Sequence, residues 1–110
     1  MQKPILESSI LAAEALTPKL FVDHDGNICA AGEKSRGICQ VSTDAGDMAG
    51  IGVIGEFIVT AGGAVAIGDQ VESDASGRAI TQSAGEVNGR ALTAAAAAGD
   101  EIVIVHDPVG

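Results

Sequence analysis

A chain of 110 residues carrying a formal net charge of −9 repels phosphate backbones, and its basic residues (Lys3, Lys19, Lys34, Arg36, Arg78, Arg90) are scattered, which argues against nucleic-acid binding. Two Phe, no Tyr and no Trp leave no aromatic platform for single strands either. No apolar run approaches the roughly 20 residues a membrane helix needs, so neither nucleic acid nor membrane is an expected partner.

The length fits one domain, and its core must come from Ile, Val, Leu and Ala. Fifteen glycines point to many turns and little helix. An aliphatic, Gly-rich domain of this size buries limited surface, and oligomerisation is a common remedy. Met1-Gln2-Lys3-Pro4 leads into a short apolar stretch interrupted by acid, unlike a signal peptide.

Residues 1–18 form a segment of their own, an N-terminal arm bracketed by Pro4 and Pro18; residues 19–110 form the body. In the arm, apolar residues at 5, 6, 10, 11, 13 and 16 and the helix formers Leu, Ala and Glu fit a short helix; partial alternation fits a strand almost as well. Either form is marginal alone, so the arm is expected to order on a neighbour.

From residue 19 onward the pattern is short strands and tight turns. Candidate strands are 19–22, 27–30, 36–41, 49–54, 56–61, 70–73, 79–82, 89–93 and 101–106, separated by turn signals such as DHDGN, TDAGD, DASGR and SAGEVNG. The apolar segment 48–61 reads as two strands around Gly55-Glu56. Ala94 to Ala98 is too short for a helix and reads as a compact connection. The fold class is all-β: a small Gly-rich β-barrel or sandwich of short strands behind an N-terminal arm.

The chain echoes itself. Gly26, Ala31-Gly32-Glu33, Gly37 and Ala45-Gly46-Asp47 recur in order as Gly77, Ala84-Gly85-Glu86, Gly89 and Ala98-Gly99-Asp100. Two similar β units packed together would build one core; recurrence of one turn chemistry would give the same pattern.

The chemistry-bearing residues are few. Asp23, Asp25 and Asn27 match the first, third and fifth ligand places of a calcium loop, but the glycine comes at the fourth place and Lys34 stands at the twelfth. The segment reads instead as a hairpin turn on Gly26, with Asp23 and His24 as solvated flanks. The second copy keeps the glycine and loses the histidine, as a turn can and a ligand set cannot. A metal protein or enzyme built on Asp23, His24 and Asp25 is the rival. His106 follows the last strand and is expected at the surface. No nucleophile elbow or cysteine-protease signature is present, so no catalytic residue, metal ligand or cofactor is assigned. Cys29 and Cys39 lack CxxC spacing and read as two small buried thiols of a protein from a reducing, cytosolic origin.

An ordered set of motifs covers most of the chain: Leu20-Phe21-Val22, Asp25-Gly26 and Cys29-Ala30-Ala31-Gly32; then Arg36-Gly37-Ile38 and Ile54-Gly55-Glu56-Phe57-Ile58-Val59; then Ala66 to Asp74, Gly77-Arg78-Ala79, Gly89-Arg90-Ala91-Leu92 and Ala97 to Val105. In this order they resemble the head decoration, or capsid cement, proteins of tailed bacteriophages. The resemblance implies a small β-barrel-like domain, usually a homotrimer, on the outer surface of the virion. There it would bind at junctions between copies of the major capsid protein, after assembly in the host cytoplasm. It implies no enzyme activity and no cofactor. The family's arm completes contact with the shell, which places Pro4, Ile5, Leu6, Ile10, Leu11 and Leu16 as the expected partner-binding residues. Residues 7–16 depart from the family by looking more helical than its β-type arm. Another virion module of similar build, in a tail or fibre, is the alternative.

Overall fold

The computed structural model describes the backbone of residues 3–106 and the side chains of 5–106. Eight strands form one antiparallel sheet that curls into a nearly closed barrel. They are β1 (Lys3–Leu11), β2 (Phe21–Val22), β3 (Gly37–Cys39), β4 (Met48–Thr60), β5 (Gln70–Ser73), β6 (Ala79–Thr81), β7 (Gly89–Ala91) and β8 (Glu101–His106). The path runs β2-β3-β4-β8-β7-β5-β6, and β1 pairs with β4. No helix occurs among the described residues.

The arm is therefore a strand, not a helix. Its register runs from Lys3 opposite Glu56 to Leu11 opposite Met48, so it orders on its own body rather than on a neighbour. Helix propensity is a few tenths of a kcal/mol per residue. It is overridden here by a nine-residue strand that sinks Ile10 into the interior, with Ala12 and Leu16 following it.

β4 corrects a second expectation. The two strands expected around Gly55 are one strand of 13 residues. Gly55 has φ 133, and the β1–β4 register shifts between Pro4 and Glu7. The chain bends there without breaking because β1 pairs along the first part of β4 and β8 along the second.

That bend is the joint of a duplication. Residues 3–54 and 55–106 are two units with the same backbone bonds. In the first, Leu11 faces Met48, Ile10 faces Ala49, Ser9 faces Gly50 and Glu7 faces Gly52. In the second, Thr60 faces Glu101, Val59 faces Ile102, Ile58 faces Val103 and Glu56 faces Val105. The second part of β4 thus repeats β1, and β8 repeats the first part of β4. The connections match as well. Ala12 exchanges bonds with Asp47 and Gly46 as Ala61 does with Asp100 and Gly99, and Leu16 pairs with Thr43 as Val65 does with Ala95. The run of alanines is this last crossing, as a compact connection requires.

The two Gly turns are copies too. Asp23 N–H bonds the Asn27 carbonyl and Asp74 N–H the Arg78 carbonyl, with Gly26 and Gly77 at φ 91 and 77. Each acid's Oδ1 also collects two backbone amides: Asp25 and Asn27 for Asp23, Ser76 and Arg78 for Asp74, all at 2.8–2.9 Å. The recurring motif is thus a real repeat of structure, and the acid is part of it.

The units meet on a local two-fold. A Cβ on Gly85 would stand 2.4 Å from Gly32 Cα, so the two Ala-Gly-Glu turns touch backbone to backbone where no side chain fits. The core is two-lobed. One cluster (Ile10, Ala12, Leu16, Val22, Cys39, Ala49, Ile51, Val53) lies within the first unit. The other gathers around Phe57, Val59, Val71, Ile102 and Ile104 and takes Phe21, Cys29 and Ile38 from the first unit.

Candidate interaction surface

His106 is fully buried, against expectation. It ends β8 beside Gly55, where the two units join. Its Nδ1 lies 2.6 Å from the Val53 carbonyl, which can only accept, so Nδ1 carries the proton. In the neutral ring, Nε2 then accepts from the Ser35 hydroxyl at 2.5 Å. Ser35 N–H donates to Asn88 Oδ1 at 2.9 Å, and Asn88 Nδ2 donates to the Glu33 carbonyl at 3.0 Å. Ser35 and Asn88 are equivalent positions in the two units, both fully buried. A serine on a histidine resembles half of a catalytic triad, but the other ring nitrogen faces a peptide carbonyl, and both side chains are sealed from solvent. This network ties the units together. Sequence reasoning missed it because its members come from positions far apart in the chain with no local motif.

The acidic loop is also structural in its geometry. Asp23 is buried, not a solvated flank, because its carboxylate is filled by the loop's own amides. His24 and Asp25 are exposed. Among the described residues no three His, Cys, Asp or Glu side chains converge.

Both cysteines are free and buried, in different core clusters. Burial, with Glu33 and Asp23 adding to it, holds the Cys29 thiol far above its ordinary range, and burial raises Cys39. Glu72 is buried at the β5–β6 edge and accepts from the Ser83 amide at 2.6 Å and the Ser83 hydroxyl at 3.1 Å. Those bonds, chiefly the Ser83 amide, hold its carboxyl below the usual carboxylate range.

With no cleft chemistry in view, the surface carries the information. The six arm residues expected to bind a partner divide. Ile10 and Leu16 face the chain's own core. Ile5, Leu6 and Leu11 are exposed, Ile5 by 80% and Leu11 by 57%. The Pro4 side chain lies outside the described residues. Leu11 is joined by Met48, its register partner on β4, which is 63% exposed. β1 pairs with no described strand other than β4, so it is a long edge strand with apolar side chains in solvent. Soluble proteins usually blunt such an edge.

The model of the phage cement protein family matches residues 3–106, nearly the whole chain. The chain belongs to the phage cement protein family. It is a structural protein of a phage virion, and its family implies a place in the capsid. No curated protein sequence matches it. Among solved structures, it is similar to the head fiber gp8.5 N base of bacteriophage phi29. The TM-score is 0.74 and the identity 17%, over 94% of each chain. At that identity the likeness is one of fold.

Proposed function

We propose that this cement protein binds the outer surface of a phage head as a homotrimer and stabilises the joints between major capsid proteins, after assembly in the host cytoplasm. The observation that carries the proposal is the apolar edge formed by Ile5, Leu6 and Leu11 on β1, with Met48 beside them. An exposed edge strand adds main-chain hydrogen bonds to a neighbouring strand, and its side chains fill pockets on either side. A cement needs no reaction. It needs buried area across a joint, about 1,600 Å² for a standard interface, repeated over the shell so that many contacts act together.

The test is decoration of expanded heads by a double variant, Ile5→Asp with Leu11→Asp. Both sites are exposed, so thermal stability should stay within about 0.5 kcal/mol of the parent. Occupancy on heads should fall by at least about tenfold, the effect of losing 1.4 kcal/mol or more of contact. Full occupancy by the variant overturns the docking edge. A second reading, that the body serves as the base of a head fibre, is favoured by the likeness to the phi29 head fiber base. Imaging of decorated heads separates the two, since a fibre projects outward and a cement lies flat.

A further inference from the structure

The duplication supplies an internal control for the surface. Equivalent strands in the two units present equivalent outward rows, so a side chain that the fold demands in one unit should recur in the other. On the outward face of the second unit, Ile58 stands opposite Val103, and the Leu92 amide bonds the Val103 carbonyl. Val105 follows on the same face of β8, 40% exposed, and Ile67 projects from the adjoining turn, 71% exposed. That turn is fixed to β7 by the bond from Gly68 N–H to the Ala91 carbonyl. Together they make an apolar ridge.

The matching row of the first unit is Ser9, Gly50 and Gln40, related by the same bonds: Ser9 faces Gly50, and Gln40 N–H bonds the Gly50 carbonyl. A Cβ on Gly50 would have nothing within 4 Å. The first unit therefore has a hollow where the second has a ridge, and it folds without apolar side chains there. The ridge is not a requirement of the fold.

We propose that copies of this chain associate head to tail, the Ile58–Val103–Leu92 ridge of one seated in the Ser9–Gly50 hollow of the next. A second copy is the occupant that fits. Ridge and hollow lie on sheets of the same register, so their knobs and gaps share one spacing, set by the strand repeat. Ridge and hollow are different places on one chain, so the contact is heterologous and leaves a free ridge and a free hollow at either end. It therefore propagates into a closed ring or a filament and never stops at a two-fold dimer. Each chain carries a net charge of −9, so the contact forms against electrostatic repulsion and tightens as salt rises.

Sedimentation velocity on the free protein, without heads, tests this separately from shell docking. The parent should show species larger than a monomer that grow with concentration and with salt. Gly50→Val fills the hollow with the side chain that the second unit carries at the same place, so the fold accommodates it. It should weaken association at least about tenfold. Ile58→Ser with Val103→Ser removes the ridge and should do the same. Neither variant should associate alone, yet a mixture should form a one-to-one pair and stop, because one supplies the ridge and the other the hollow. A parent that stays monomeric to about 1 mM at high salt overturns the proposal. So does Gly50→Val association equal to the parent's, or failure of the mixture to pair.

Discussion

The two units of this chain share a backbone and differ in what they show to solvent. The row that is Leu11 and Met48 in the first unit is Thr60 and Glu101 in the second. The next row reverses the pattern, Ser9 and Gly50 against Ile58 and Val103. Inward rows change far less: Ile10, Ala49 and Ile51 correspond to Val59, Ile102 and Ile104, all buried. Interior positions answer to the fold. Outward positions are free to diverge, and each unit has gained apolar surface where the other has none. In a structural protein that pattern separates the parts that hold the barrel from the parts that hold its partners.

The sharpest way to break the comparison is to remove one strand from one unit. Deleting residues 1–16 takes away β1, Ile10, Ala12 and Leu16, half of the residues that build the first unit's cluster. The second unit keeps its own version of β1 as the latter part of β4. The truncated chain should lose its cooperative thermal transition in circular dichroism, since each large buried aliphatic removed costs about 2–5 kcal/mol against a total of about 5–15 kcal/mol. A truncated protein melting within a few degrees of the parent would show that the arm is an addition to a self-sufficient body. Asn88→Ala comes next. It leaves the Ser35 N–H and the Glu33 carbonyl without partners at the seam between units. About 2–4 kcal/mol of stability should go, read from urea unfolding.

Much of this was legible in the sequence. The strands at 70–73 and 101–106 were readable to the residue, because alternating or β-branched runs there end in Gly, Asp or Asn turns. The duplication showed in its turn glycines and acids, since backbone geometry restricts those residue types. Three features could not be read. The arm's conformation is decided by pairing with a distant strand and not by its own propensities. The continuity of β4 past Gly55 depends on ladders from β1 and β8, which no local window contains. The burial of His106 depends on Ser35 and Val53, far away in the chain. The apolar arm residues were visible as a set, but only the fold divides them into core (Ile10, Leu16) and surface (Ile5, Leu6, Leu11).

Two smaller perturbations sharpen the contrast at the turns. Gly85→Ala places a methyl against the Gly32 backbone on the two-fold, and a shift there should cost about 1–3 kcal/mol in denaturant unfolding. Glu72→Gln probes a bond set that the second unit has on its β5–β6 edge. The carboxyl of Glu72 sits below its ordinary range when folded, so its stabilisation is present above the ordinary glutamate value and is lost as pH falls through the lowered one. The stability gap between parent and Glu72→Gln should therefore be open at neutral pH and close by about pH 3. A gap that does not change with pH would mean that the carboxylate charge contributes nothing at this edge.

The smallest expected effect tests whether a difference between the units carries any energy. Lys19 has φ 68, and the equivalent place in the second unit is Gly68 at φ 88; their amides bond the carbonyls of Cys39 and Ala91, which also correspond. A lysine in this left-handed region is disfavoured by about 1–2 kcal/mol. Its ammonium meets Glu101 at 2.7 Å, but both side chains are about half exposed, and such a pair returns at most about 1 kcal/mol. Lys19→Gly removes the backbone cost and the ion pair together, and it adds freedom to the unfolded chain that opposes folding by up to about 1 kcal/mol. The three contributions nearly cancel, so its unfolding midpoint should match the parent's within about 0.5 kcal/mol. Lys19→Ala keeps the backbone cost and loses the pair, so it should fall below the parent by up to about 1 kcal/mol. If Lys19→Ala instead equals the parent while Lys19→Gly exceeds it, the pair to Glu101 is worth nothing and the strained backbone alone distinguishes the two turns.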